Sequence, residues 1–247
     1  MEERVITKNV CMKNFDMTDI LTNEFDNELL NNIDNYKRYK EMLPFVGISW
    51  SSSDIKTLIL GESHYIDRDG LTKEQIQDWY NFDSTGFSDY LSGYINTRKV
   101  ITKAEKIDEY GFQSPLTIFY NIKSSLKDNI DFFKSERYPF KFLTFSNYFQ
   151  RPAFDEGESI INSHSDNVIA YKTLLGVVEI IRPKKIIFTS SKAYYSFLSQ
   201  RTKEHCEGIF SEIIIDSVPH PSCAWWNRTS PNYGNRTGRQ KFIDLMK

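Results

Sequence analysis

Four short apolar runs, each closing on a polar cluster, constrain this chain more than any other feature. Thr57-Leu58-Ile59-Leu60 gives way at Gly61 to Glu62, Ser63, His64 and Tyr65. Residues 140–145 close on Ser146-Asn147, residues 185–189 on Ser190-Ser191, and residues 212–218 on Pro219-His220-Pro221-Ser222. Runs of this length between turn formers read as strands buried on both faces. The segments between them carry a helical pattern. Residues 17–43 place acids early and Lys37, Arg38 and Lys40 late, which complements a helix dipole, and Pro44 ends them. Further helices are expected over 116–126, 167–181 (stopped by Pro183), 192–199 (capped by Ser190-Ser191) and 238–246.

Strands alternating with helices predict an α/β fold. The expected architecture is one domain over 1–247 with a central four-stranded, mainly parallel sheet flanked by helices. An N-terminal helical extension covers 1–50, and a helical and loop insertion covers 66–110. In such sheets ligands gather outside the carboxyl ends of the strands. Four polar clusters at four such ends predict a site there.

Composition narrows the function. The chain has 247 residues, 40% hydrophobic and 26% charged, an ordinary globular balance. The net charge of −2 gives no bulk signal for nucleic acid. A compact enzyme still binds DNA through a local stripe, and Arg228, Arg236, Arg239 and Lys241 form one in the sequence. The 15% aromatic content serves either a core or surfaces on which bases stack. Cys11, Cys206 and Cys223 lack metal-like spacing and make no disulfide framework. No apolar run approaches membrane-spanning length, and the N-terminus lacks a signal-like apolar region. The expectation is a cytoplasmic monomer with no membrane association.

Taken in order, these motifs resemble the uracil-DNA glycosylase superfamily. Leu58 to Tyr65 is similar to the family's first motif, written Gly-Gln-Asp-Pro-Tyr-His or Gly-Glu-Ala-Pro-Gly. Tyr110-Gly111-Phe112-Gln113-Ser114-Pro115 resembles the segment that supplies an aromatic plate for the base. Phe145-Ser146-Asn147 resembles the strand whose last Asn reads the base edge. Residues 183–189 resemble the family's third strand, and Val218-Pro219-His220-Pro221-Ser222 matches its His-Pro-Ser motif.

The resemblance implies roles that the chemistry explains. Breaking an N-glycosidic bond builds positive charge on the sugar and negative charge on the departing base. A carboxylate, Glu62, would stabilise the cation and orient water, and a donor, His220, would stabilise the base anion. His64 is the third catalytic candidate. Asn147 offers both a donor and an acceptor to a pyrimidine edge, Phe112 a stacking plate, and Ser63 and Tyr65 complete the base pocket. Ser222, Trp225, Trp226 and Arg228 are expected to meet DNA, the Trp pair as a wedge and Arg228 on phosphate. No metal or organic cofactor is called for.

The departures from the family pattern bear on the substrate. Ser63 stands at the motif's aspartate position and His64 at its proline position, with Asp67 and Asp69 the nearest other carboxylates. The insertion would reshape the pocket for a bulkier base, although Tyr65 resembles a tyrosine that crowds the pyrimidine C5 position in the uracil enzymes. One branch of the family removes heavily modified phage cytosines, such as glucosylated hydroxymethylcytosine, as antiviral defence. The expected activity is thus excision of a modified pyrimidine from DNA, leaving an abasic site. A catalytically inactive nucleic-acid-binding homologue, an ordinary uracil-DNA glycosylase and an α/β enzyme acting on a small nucleotide remain as alternatives.

Overall fold

A computed structural model describes residues 18–66, 71–81, 93–154, 159–204 and 207–247. The strands are β1 (Phe45–Val46), β2 (Thr57–Gly61), β3 (His64–Tyr65), β4 (Thr144–Asn147), β5 (Pro152–Ala153), β6 (Lys185–Phe188) and β7 (Ile214–Ser217). The central sheet has the order β1-β4-β2-β6-β7. Strands β4, β2, β6 and β7 run parallel, and β1 lies antiparallel on β4. The sheet is therefore five-stranded and mixed rather than four-stranded. The added edge strand comes from the segment expected to be a helical extension.

Alternation along each strand splits the core in two. Leu58 and Leu60 pack on one side of the sheet and Ile59 on the other; Ile186 and Phe188 face Ile187 in the same way. One side is covered by the helices Asp26–Asn32, His164–Ile181 and Ser191–Glu204, which contribute Leu29, Leu174 and Phe197. The other is covered by Thr97–Glu105, Thr117–Asn129 and Gly238–Met246, which contribute Ile101, Ile122 and Phe242. The result is a three-layer α/β/α arrangement around an apolar sheet.

Three segments differ most from expectation. The long helix over 17–43 is two short ones, Asp26–Asn32 and Asp34–Arg38, because Ile33 takes an extended conformation and buries its side chain. The strand expected at 140–145 begins only at Thr144, because Pro139–Phe142 forms a 3-10 turn that buries Phe140. The insertion is not simply laid over the strand ends: Ile76, Trp79, Ile95 and Ile101 are core residues. Asp67 and Asp69 lie outside the described residues. The closing helix Gly238–Met246 runs as expected, capped by Thr237 and Gln240 in a reciprocal capping box. Among the described residues no helix is long and apolar enough to cross a membrane.

Candidate functional site at the carboxyl edge of the sheet

The parallel strands end in register. Gly61 pairs with Asn147, Leu60 with Phe188, and Phe188 with Ser217. Backbone bonds carry the row one step further, from Thr189 N–H to Leu60 O (2.8 Å) and from Val218 N–H to Phe188 O (2.8 Å). The four polar clusters of the sequence thus share one edge.

Glycine is required at position 61. A Cβ there would lie 2.3 Å from Asn147 Oδ1 and 2.8 Å from Phe145 Cζ. The Asn147 carboxamide rests across the end of β2 in the space that the missing side chain leaves. That carboxamide makes no hydrogen bond among the described residues; only the Asn147 backbone oxygen is engaged, by Gln150 Nε2 at 2.7 Å and Ser146 Oγ at 3.3 Å.

Glu62, the next residue, is held from three sides. Its Oε1 accepts from Ser159 Oγ (2.5 Å) and from Ile160 N–H (3.0 Å), and its Oε2 accepts from Ser190 Oγ (2.5 Å). Ser190 Oγ also accepts from Ala193 N–H, so one hydroxyl caps the Ser191–Glu204 helix and fixes the carboxylate. A carboxylate offers about four lone-pair positions. Three are used here, and one on Oε2 remains.

His220 is set by its own loop. Its Nδ1 accepts from Ser222 N–H (3.3 Å) and lies 2.7 Å from Ser222 Oγ. A ring nitrogen that accepts from a backbone N–H carries no proton, so the hydrogen of the neutral ring sits on Nε2. That Nε2–H has no partner among the described residues. Burial lowers the pKa of His220, and the nearby Glu62 carboxylate opposes the shift in part. The imidazole is therefore a neutral donor at pH 7. The loop is anchored from two sides: Asn121 Nδ2 donates to Pro221 O (2.8 Å), and Gly238 admits Pro219, whose Cγ would lie 2.1 Å from a Cβ there.

The remaining predicted residues divide. Ser63 and His64 are buried. The Ser63 hydroxyl has no partner among the described residues, and desolvation pushes the ring of His64, a residue of the short β3–β5 ladder, down to about 4, so it is neutral. Tyr65 is 36% exposed, with its phenol pushed up first by burial and then by the Glu62 charge. Phe112 is exposed and leans on Tyr120 at 5.1 Å. Ser222 and Arg228 are exposed. The Trp pair is not one wedge. Trp225 is 51% exposed, whereas Trp226 is 2% exposed and packs on Phe242 at 5.7 Å. Consecutive residues of the Ala224–Trp226 3-10 turn point about 120° apart, so one ring faces out and the other in. The cationic stripe is also mostly neutralised. Arg236 pairs with Asp244, Arg239 with Asp128, and Lys241 with Asp216. Among the described residues Arg228 alone of the four has no ion pair.

Two residues at the site escaped sequence reasoning, and a third was read only in part. Ser190 stood in the cluster that closes the third strand and as a helix cap, without its bond to Glu62, and Asn121 was only one polar position on an amphipathic helix. Ser159 sits in a polar stretch with no periodicity and carries no local signal. Among the described residues no three His, Cys, Asp or Glu side chains gather as a metal site requires. No protein-family model matches the chain, and no curated protein matches it.

Proposed function

We propose that this protein is a DNA glycosylase of the uracil-DNA glycosylase type that excises a modified pyrimidine. The observation that carries the reading is the neutral His220, with Nδ1 occupied and Nε2–H unused, on the same sheet edge as the unengaged Asn147 carboxamide. Hydrolysis breaks the bond between the sugar C1′ and the base nitrogen, and the electron pair leaves with the base. His220 Nε2–H would donate to the carbonyl oxygen on which that charge gathers. Asn147 would read the pyrimidine edge through one donor and one acceptor. The Glu62 charge would face the sugar cation, and its one remaining lone pair on Oε2 would orient the attacking water, whose hydroxyl ends on C1′ while its proton is taken by Glu62 and passed through solvent to the departed base anion. Phe112 is an exposed plate for the base, and Trp225 is the single wedge candidate.

The substrate is read as a pyrimidine enlarged at C5, such as a modified phage cytosine. Support comes from Ser63 and His64 in place of Asp-Pro, and from an insertion longer than a minimal member of the resembled family needs. The test is incubation with genomic DNAs that carry different base modifications, followed by an abasic-site assay. Abasic sites in DNA with modified cytosine and few in uracil-containing DNA are expected. Robust release of uracil alone would return the enzyme to the ordinary class.

One observation favours a second reading, a nucleic-acid-binding homologue without catalysis. Three of the four Glu62 acceptor positions are used internally, and no aspartate stands in the motif. The same assay separates the two, since binding without abasic sites in any DNA supports the second.

A further inference from the structure

A polar cleft of about 510 Å³ opens between the start of the His164–Ile181 helix and the face of the Ser191–Glu204 helix that runs from Lys192 in its first turn to Lys203 in its last. Its volume falls within the roughly 300–1,000 Å³ typical of small-molecule sites. The first helix leads into β6 and the second leaves it, so both flank the carboxyl edge that holds Glu62. Ile160 joins the two places: its N–H donates to Glu62 Oε1, and its carbonyl accepts from Lys192 Nζ on the cleft wall.

The lining is chemically specific. It holds Lys192 and Lys203 and no carboxylate. Lys203 is exposed and forms no ion pair among the described residues. Tyr195 presents a ring that is 68% exposed. Asn167 Oδ1 accepts from both Asn162 Nδ2 (2.8 Å) and Ser196 Oγ (2.6 Å), which leaves its Nδ2 as an unused donor. Gln200 also lines the cleft, and its carboxamide forms no hydrogen bond among the described residues, so its donor and acceptor are open to a ligand there.

We propose that this cleft binds one nucleotide. Its phosphate sits on Lys203, its base stacks on Tyr195, and Asn167 and Gln200 engage polar atoms of the base or sugar. Cation, aromatic face and paired amides in one cleft match those three parts of a nucleotide. The same chemistry is offered by a free nucleoside monophosphate and by one nucleotide of a DNA strand. In its DNA form the proposal rests on the reading of the neighbouring site as one that meets DNA; in its free form it does not.

The test uses the full chain and two probes: free dCMP by calorimetry, and a fluorescent single-stranded oligonucleotide by anisotropy. The variants are Tyr195→Ala, Lys203→Ala and Gln200→Leu, with circular dichroism on each; the first two are exposed positions and leave the fold intact. Tyr195→Ala should weaken the bound probe about fivefold to a hundredfold. Lys203→Ala should lower the slope of log affinity against log salt by about 1 for the oligonucleotide. Weakened oligonucleotide binding with no dCMP binding assigns the cleft to a DNA strand, and weakened dCMP binding assigns it to a free nucleotide. If the parent binds neither probe, or if Tyr195→Ala and Lys203→Ala bind as the parent does, the cleft is not a nucleotide site. Base excision is followed in parallel. Excision at the parent rate with unchanged binding in the cleft variants removes this proposal and leaves the glycosylase reading; lost binding without any excision by the parent does the reverse.

Discussion

Two polar corners lie at the same end of the molecule and are built on opposite plans. In the first, Arg151 binds Asp166 through two bonds of 2.7 and 3.0 Å, and also donates to the carbonyls of Pro152 and Ile161. Asp166 accepts further bonds from Ser163 N–H and from the Tyr80 hydroxyl, whose phenol is pushed far up by burial and by that carboxylate. Both charged side chains are nearly inaccessible, at 9% and 1%. In the second corner, the Asn147 carboxamide, His220 Nε2–H and one lone pair of Glu62 have no partner among the described residues. A buried polar network is tolerated when every member is satisfied. Groups left unsatisfied at a strand end are the ones available to something else. The first corner therefore holds structure, pinning the insertion at Tyr80 to the His164–Ile181 helix, and the second is the candidate site.

The largest effects should fall on the first corner. Asp166→Ala strands the Arg151 guanidinium in the interior, and a broken buried pair costs about 3–5 kcal/mol. Denaturant unfolding measures this directly. Trp226→Ala should cost a similar amount, about 3–5 kcal/mol, by opening a cavity against Phe242. His220→Ala should instead cost only about 1 kcal/mol of stability. Its effect should appear in excision, as a loss on the order of 10² to 10³ in rate. A His220→Ala protein as unstable as Asp166→Ala would erase the distinction between the corners.

A third polar group tests the rule that partial satisfaction carries a cost. Glu105 accepts from Phe140 N–H through one oxygen, while its other oxygen lies 3.5 Å from Lys123 without a hydrogen bond. Burial pushes this carboxyl up to about 7 despite the lysine. A raised pKa in the folded state means stability is fully present below the ordinary value of about 4.5 and is lost as pH climbs through 7. Over that window the parent should lose roughly 3 kcal/mol that Glu105→Gln does not lose. Thermal melts of both proteins at pH 4.5 and 7.5 would show it, and parallel curves would mean that Glu105 does not titrate in the window.

How far these contrasts could be read from the sequence depends on how local each cause is. The strands at Thr57 and Lys185 were legible because an apolar run buried on both faces is a local signal. The closing helix was legible because its capping box lies within four residues. Phe45–Val46 was not legible, since a two-residue edge strand behind a proline has no period to detect. Residues 140–145 misled because Phe140 and Phe142 are apolar for the core and not for a ladder. At the site, Gly61, Glu62, Asn147 and His220 announced themselves by standing at strand ends. Ser159 and Ser190 reach Glu62 across 97 and 128 positions, and no local pattern encodes such a distance. The ion pairs of the Arg stripe were hidden for the same reason: Asp128, which pairs Arg239, lies 111 residues away.

The smallest predicted effect belongs to Trp225, and it reduces the contrast between structure and site to two adjacent residues. Trp226 belongs to the core, so its loss reports on folding alone. Trp225 is half exposed at the start of the loop that holds Arg228. Trp225→Ala should therefore change stability by no more than about 0.5 kcal/mol. If the ring enters a duplex to hold the gap left by an extruded base, its removal should slow excision from duplex DNA by an amount set by lost stacking. Stacking is worth about 1–3 kcal/mol per base, or about fivefold to a hundredfold. Single-stranded DNA has less stacking to break, so the loss there should be smaller. Binding should still weaken with salt, because counterions leave the phosphates whichever residue fills the stack. Paired rates on the two substrates decide the matter. Equal losses on duplex and single strand would make Trp225 a general contact, and no loss on either would leave it an exposed aromatic with no part in DNA engagement.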